Sequence, residues 1–354
     1  MYLDNPIVIA VLRHFPRQAR WMPPAGLLVM CLSLALSSLS TTVPHLIATQ
    51  GVLYALGGSV AYCPCILYMD EWFARRRGLA YGIMWSATGF GGAVIPFLLE
   101  HLLRAHGFRT TLRIWAGVLF ALSAPFTYFI KPRLPVSLTT HSRRPNLRFL
   151  LSRTFWLHQL SSIVEATGFF LPNIYLPSYA QSHLGASSFL STLTLLLINV
   201  SSVFGCVAMG TLIDRLDVVN CILVSTAGAT VGVLLLWGLS STLPVLYIFC
   251  IVYGVFASSF TSAWSGIMKQ VVASEARRDR PADPCMIFGC LAAGRGVGNI
   301  ISGPLSEALI DGLPWKGEAG FGYGSGLGPL IVYTGVTALL GGASVVWKYL
   351  GWLN

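Results

Sequence analysis

The chain of 354 residues is 55% hydrophobic and only 10% charged, with a formal net charge of +10 and a mean hydropathy of +0.69. No water-soluble core can take up that much apolar surface, and no polar tract is long enough for a soluble domain, so the composition indicates an all-α polytopic membrane protein. The basic excess does not mark a nucleic-acid binder, because Lys and Arg come as short clusters between apolar runs rather than on one polar face.

Residues 1–12 (MYLDNPIVIAVL) are too short to cross a bilayer and carry Asp4, so they read as the last turns of a helix whose beginning is missing. No basic segment, apolar core and small-residue cleavage site mark a signal peptide. Ten apolar segments then reach the length of a span, about 20 residues each, at roughly 23–41, 44–69, 79–101, 110–130, 154–180, 187–211, 219–240, 243–268, 285–310 and 328–350. The third follows the most informative stretch, DEWFARRRGLAYGIMWSATGFGGAVIP from Asp70 to Pro96. Arg75, Arg76 and Arg77 are too polar to enter lipid, whereas Gly78, Gly82, Gly89, Gly91 and Gly92 let a neighbouring backbone approach closely. Lys131 to Arg153, with Pro132, Pro135 and Pro145, reads as a linker with four spans before it and six after.

Two ionisable residues of opposite sign sit near mid-span, Glu165 in 154–180 and Arg295 in 285–310. Charges at that depth are costly and face a cavity or one another. Pro172 and Pro177 surround Asn173 and Tyr175, so a kink, a freed carbonyl and the Tyr175 hydroxyl are available to a solute, with routine helix bending as the alternative. Asn199 reads either as a hydrogen-bonding tie between helices or as a solute contact. Its match to a glycosylation sequon, Asn199-Val-Ser201, is without meaning inside a span. Asp214 and Arg215 follow at the end of 187–211, where an aspartate can pair with arginines or cap a helix as a latch. The acidic, glycine-rich stretch Asp311 to Gly328 reads as a flexible loop with Trp315 at the membrane interface. The eight cysteines lie in or beside apolar runs and read as packing residues, and Cys63 and Cys65 lack the partners a metal needs.

Lys and Arg set the orientation. One set of loops, with the C-terminal end, holds Arg13, Arg17, Arg20, Arg75, Arg76, Arg77, Lys131, Arg133, Arg143, Arg144, Arg148, Arg153, Arg215, Lys269, Arg277, Arg278, Arg280 and Lys348, and the opposite set holds only Arg104, Arg109, Arg113 and Lys316. Eighteen against four places the first set and both chain ends in the cytoplasm. An internal repeat is also visible: Ala87-Thr-Gly-Phe-Gly91 returns as Ala292-Ala-Gly-Arg-Gly296, 205 residues later, each copy followed by a proline and then a glutamate (Pro96 and Glu100, Pro304 and Glu307). It pairs the third span with the ninth, as two parallel six-helix halves require.

The stretches EWFARRRGLAYGI, FFLPNIYLPSYA, NVSSVFGCVAMGTLIDRLD and GRGVGNIISGPLSE resemble the major facilitator superfamily and, within it, the fungal branch of the monocarboxylate porter family. The superfamily's loop signature, glycine, three residues and Asp-Arg, is met by Gly210, Asp214 and Arg215, whereas the matching loop Arg13 to Arg20 keeps positive charges without an aspartate. Animal members of the family carry a charged pair in the helix that corresponds to 187–211, which here has no charge. The resemblance implies a solute carrier of two helix bundles that rock around a midplane site. The expected domains are an N-terminal bundle over 1–130 lacking its first helix and most of its second, a cytoplasmic linker over 131–153 and a six-helix bundle over 154–354.

The expected function is transmembrane transport of a small organic acid or secondary metabolite by alternating access, with coupling to protons as an option. Glu165, Tyr175, Asn199 and Arg295 are the expected solute contacts, with Glu165 and Arg295 read either as a coupling pair or as a purely structural ion pair. Arg75, Arg76, Arg77, Asp214 and Arg215 are the expected gate. The expected partners are a small solute, the lipid bilayer, most readily the plasma membrane, and protons, with no cofactor, metal or nucleic acid. The alternatives are a membrane-embedded enzyme, which needs more polar groups at one depth, and a truncated, transport-dead protein or receptor. On the truncated reading the 354-residue chain is inactive alone and regains activity when an upstream exon for about 60 residues, two spans and their loops, is restored.

Overall fold

The computed structural model describes residues 1–73, 75–133 and 147–353. Ala74 of the arginine turn and 134–146 of the linker, with Pro135, Arg143, Arg144 and Pro145, lie outside the described residues. Every regular element among the described residues is helical. In chain order they are α1 (Asn5–His14), α2 (Ala19–Ser37), α3 (Val43–Trp72), α4 (residues 77–106), α5 (residues 108–127), α6 (Arg153–Phe169), α7 (Leu171–Ser182), α8 (Ser188–Ile213), α9 (Val218–Trp237), α10 (Leu243–Ala276), α11 (Pro284–Ile310) and α12 (Gly328–Tyr349).

Among the described residues eight helical stretches are long and apolar enough to cross a membrane. They account for nine of the ten predicted spans, because one stretch holds two, and the tenth is present as two shorter pieces. The 51-residue stretch Arg77–Thr127 is two helices, because Gly107 at φ 72° and ψ 172° takes a non-helical backbone conformation that other residues rarely adopt and breaks the helix there. The span predicted over 154–180 is present but interrupted: α6 ends at Phe169 and α7 restarts at Leu171 with Pro172 in its first turn, so neither piece alone has the length of a span. The short segment at the start is the helix α1, which buries Val8, Ile9 and Leu12.

Contacts divide the chain into two compact units. The first comprises Met1–Arg75, Val94–Leu147 and Asp283–Ala293, and the second Arg76–Ala93, Arg148–Ala282 and Gly294–Asn354. In the first unit α2 and α3 cross at glycines, since a Cβ built on Gly26 would stand 2.5 Å from the Ala61 nitrogen and 2.6 Å from the Gly57 oxygen. Backbones this close gain dispersion contacts that lipid cannot supply, which is what drives helices together in a membrane. The core of the second unit is built by α7, α8, α9, α10 and α12 around Trp237, which stacks on Phe249 at 5.4 Å between centroids.

The glycines after the arginine turn do what their spacing predicts. Built on Gly78, Gly82 and Gly89, a Cβ would lie 2.4 Å from the Gly210 oxygen, 2.5 Å from the Cys206 oxygen and 2.1 Å from Ser202 Oγ, so this half of α4 lies directly on α8 within the second unit. Gly92 continues the same face against the Asn199 side chain, whereas Gly91 falls on the opposite side of the helix at 100° per residue. We expect Gly82→Val to separate the two backbones and cost about 1–3 kcal/mol, seen as a lower Tm in detergent, while Gly91→Val leaves Tm near wild type.

The stretch Asp311 to Gly328 has more order than a flexible loop. It contains the 3-10 turn Phe321–Ser325, and Tyr323 pins it to α9 by donating its hydroxyl to the Leu234 carbonyl at 2.7 Å. Trp315 is 42% exposed and covers Gly328 at the start of α12.

Candidate functional site

The site begins with glycines on α11. Gly294 and Gly298 are one turn apart, and a Cβ on either would strike α6, at Gln159 Nε2 and at the Ile163 oxygen respectively. With no side chains in the way α11 rests on α6, and Arg295 between them reaches Glu165: Nη1 donates to Glu165 Oε2 at 2.7 Å. The pair is buried, Arg295 being 1% exposed and Glu165 6%. The guanidinium also lies 4.3 Å from the centre of the Phe169 ring, close enough for a cation–π contact. Its second terminal nitrogen, Nη2, is buried with no hydrogen-bond partner among the described residues, and the same is true of Asn299 Oδ1 one turn further along α11.

A narrow cavity beside the carboxylate is lined by Glu165, Phe169, Thr226, Tyr253 and Thr334 and offers about 10 Å³ to water centres. That is room for about one water, so the second unit is closed around the ion pair in this structure. The other predicted solute contacts do not converge on it. Tyr175 donates to Ser306 Oγ at 3.0 Å, ten residues and roughly 15 Å along the helices from Glu165. Asn199 donates back to the Leu195 carbonyl of its own helix at 2.9 Å and faces Gly92. Tyr253 donates its hydroxyl to Phe169 O at 2.8 Å, so the carbonyl at the break between α6 and α7 already has a partner.

Asp214, at the end of α8, accepts from the backbone N–H of Gly78 at 2.8 Å and of Leu79 at 2.9 Å. Arg76 takes φ 55° just before α4, a left-handed turn that aims these two donors at the carboxylate. A negative charge at a helix N-terminus meets unsatisfied N–H groups and the positive end of the helix dipole. Asp214 is thus bound to the start of α4 itself. Arg75, Arg76, Arg77 and Arg215 are exposed. A second helix-capping carboxylate lies in the first unit: Arg13, at the end of α1, forms a buried ion pair with Asp283, whose carboxylate also accepts from Cys285 N–H at 3.0 Å and caps α11. Asp283 stands just before Pro284 at the head of a helix, and that capping position is the one signal that could have marked it. The helices α4 and α11 therefore each have a carboxylate on the first turn, and each divides its length between the units.

Asp217 caps α9 by accepting from Val219 N–H at 3.0 Å and takes a hydrogen bond from Lys348 Nζ at 2.6 Å. Desolvation acts to raise its pKa, but Lys348 and the Val219 amide outweigh it and hold the carboxyl below the ordinary aspartate value. A depressed folded-state pKa contributes stability above the unfolded value, about pH 4, and loses it as pH falls through the folded one. Asp217→Asn should therefore make Tm less sensitive to acid between about pH 5 and pH 3, and an acid slope identical to wild type would show that the pair contributes nothing.

A chain with this many membrane-length helices, packed through glycines and a buried ion pair, is a multi-pass membrane protein. Residues 17–280 match the Major Facilitator Superfamily, and the chain belongs to that superfamily. It is 33% identical over 192 residues to the MFS-type transporter pytF of Aspergillus terreus, covering 54% of this chain and 64% of that one. It is 26% identical over 295 residues to the aspyridones efflux protein apdF of Emericella nidulans, covering 81% of this chain and 57% of that one. The chain thus spans less than two thirds of the length of these two relatives. Its fold is similar to the crystal structure of the human organic anion transporter MFSD10 (TETRAN), with a TM-score of 0.71 at 15% identity over 96% of this chain and 80% of that one.

Proposed function

We propose that the protein carries a small organic acid or secondary metabolite across a membrane by alternating access, with Arg295 as the cation that receives the solute carboxylate and Glu165 as its exchangeable counter-ion. The observation that carries this reading is the half-satisfied guanidinium: Nη1 is bonded to Glu165 while Nη2 is buried without a partner among the described residues. A buried charged donor without an acceptor is costly, and a carboxylate fits the guanidinium fork with two parallel bonds. Protonation of Glu165 would release Arg295 to the solute, which couples proton and anion binding at one place. The names of the relatives support the solute class, one being an efflux protein for aspyridones and a structural neighbour an organic anion transporter. They do not favour the transport-dead or receptor alternative.

On this reading the bundles are 1–130 and 154–354 joined by 131–153, the protein acts in the plasma membrane, and both termini face the cytoplasm, the last of these being supported by the eighteen-to-four distribution of basic residues. Asp214 latches α4, with Arg75, Arg76, Arg77 and Arg215 as the surrounding basic rim. Tyr175 and Asn199 come to the solute in a state other than the one described, after leaving Ser306 and the Leu195 carbonyl. The test is counterflow in proteoliposomes with a panel of labelled aliphatic and aromatic carboxylic acids and their uncharged amides. Saturable exchange restricted to the acids is expected, and equal exchange of acids and amides would remove the role given to Arg295.

A further inference from the structure

Where α8 turns into α9, a second cavity of about 400 Å³ lies between that turn, the last turns of α10 and the C-terminal segment. Its size is that of a small-molecule site, about 300–1,000 Å³. Gly266, Lys269, Gln270, Ala273 and Arg277 form one wall, and their spacing puts them on a single face of α10. Lys348 and Leu353 close the opposite side, with Ile213, Leu216 and Val218 as an apolar floor and Asp217 as the single carboxylate in the lining. Three cations against one carboxylate leave two positive charges in excess. Lys348 is engaged with Asp217 at 2.6 Å, whereas Lys269 and Arg277 are exposed and make no ion pair among the described residues.

We propose that this cavity binds the phosphate-bearing headgroup of one anionic phospholipid, with Lys269 and Arg277 on the phosphate and the Ile213, Leu216 and Val218 floor against the glycerol and first acyl carbons. A soluble phosphate would be served by the charges alone, and the adjoining apolar floor favours an amphiphile. Arginine grips phosphate as a fork and lysine as a point charge. Basic pockets between membrane helices at an anionic leaflet suit such headgroups, and the assignment of this end to the cytoplasmic leaflet rests on the orientation proposed above. Because Lys348, Leu353 and the turn after α8 share the cavity, a bound lipid would tie the C-terminal segment to the loop that carries Asp214.

The experiment is native mass spectrometry of the full chain in mild detergent, after exchange against mixed micelles of phosphatidylcholine alone, phosphatidylcholine with phosphatidylinositol, or phosphatidylcholine with both phosphatidylinositol and inorganic phosphate. Wild type should retain one phosphatidylinositol and no phosphatidylcholine. Lys269→Gln/Arg277→Gln should bind it roughly 30-fold more weakly, about a factor of five per cation. Both side chains are exposed, so the variant should keep the wild-type Tm, and Lys316→Gln, on a distant loop, should retain the lipid. Displacement by millimolar inorganic phosphate would overturn the lipid in favour of a soluble anion, and equal retention by the double variant would overturn the site itself. The readout requires neither transport nor a particular orientation, so a failure here leaves the function proposed for Arg295 standing.

Discussion

Arg295→Ala is expected to lower solute flux by at least about 100-fold, the loss of a charge-assisted bond worth about 3 kcal/mol, while the protein still inserts into the membrane. The same change leaves Glu165 buried at 6% exposure without its cation. Removing one partner of a buried ion pair costs about 3–5 kcal/mol, so Tm should fall as well. A purely structural pair predicts the same two losses, and a double replacement separates the readings. With Glu165→Leu/Arg295→Met neither charge is left stranded, and apolar replacements of a buried pair are neutral or stabilising. We expect that variant to recover a wild-type Tm and to remain inactive. Recovery of flux together with Tm would show the pair to be a structural tie only.

The second effect is expected at the latch. Asp214→Asn removes a full charge from two N–H groups at the head of α4, and because Asp214 is exposed the interaction is worth about 0.3–1 kcal/mol. Opening of that turn should become roughly 2- to 5-fold more frequent, and amide exchange at Gly78 and Leu79 should quicken by the same factor. The population open on the side of the arginine turn should rise with it. Unchanged exchange would mean that Asp214 is a solvated loop charge. At the counterpart position Arg13→Ala strands Asp283, 7% exposed, and should lower Tm by the equivalent of about 3–5 kcal/mol, more than Asp214→Asn does.

The spans were legible because nearly all run close to the thickness of a bilayer and every second turn between them is basic, and the α4–α8 contact was legible because Gly78, Gly82, Gly89 and Gly92 share one helical face. The Glu165–Arg295 pair could be read from two opposite charges at one depth, since the membrane leaves such charges few other partners. What sequence could not give is the identity of backbone partners. The acceptor on Gly78 and Leu79 is a carboxylate more than 130 residues away, at sequence separations of 136 and 135, and N–H groups leave no mark in a sequence. Arg13 and Asp283 are 270 residues apart, and a pairing over that separation leaves no local pattern in the sequence. The break at Phe170 was announced by Pro172. The Tyr253 hydroxyl that takes the Phe169 carbonyl was not, because any of several tyrosines could have filled that place.

The most direct test of a shared proton and anion site is the pH inside proteoliposomes, followed with an entrapped dye while a carboxylate solute enters. Wild type is predicted to acidify the lumen in step with solute uptake, and Glu165→Gln to admit the solute without acidification. Uptake by wild type with no change in internal pH, or undiminished uptake by Arg295→Ala, would contradict the account.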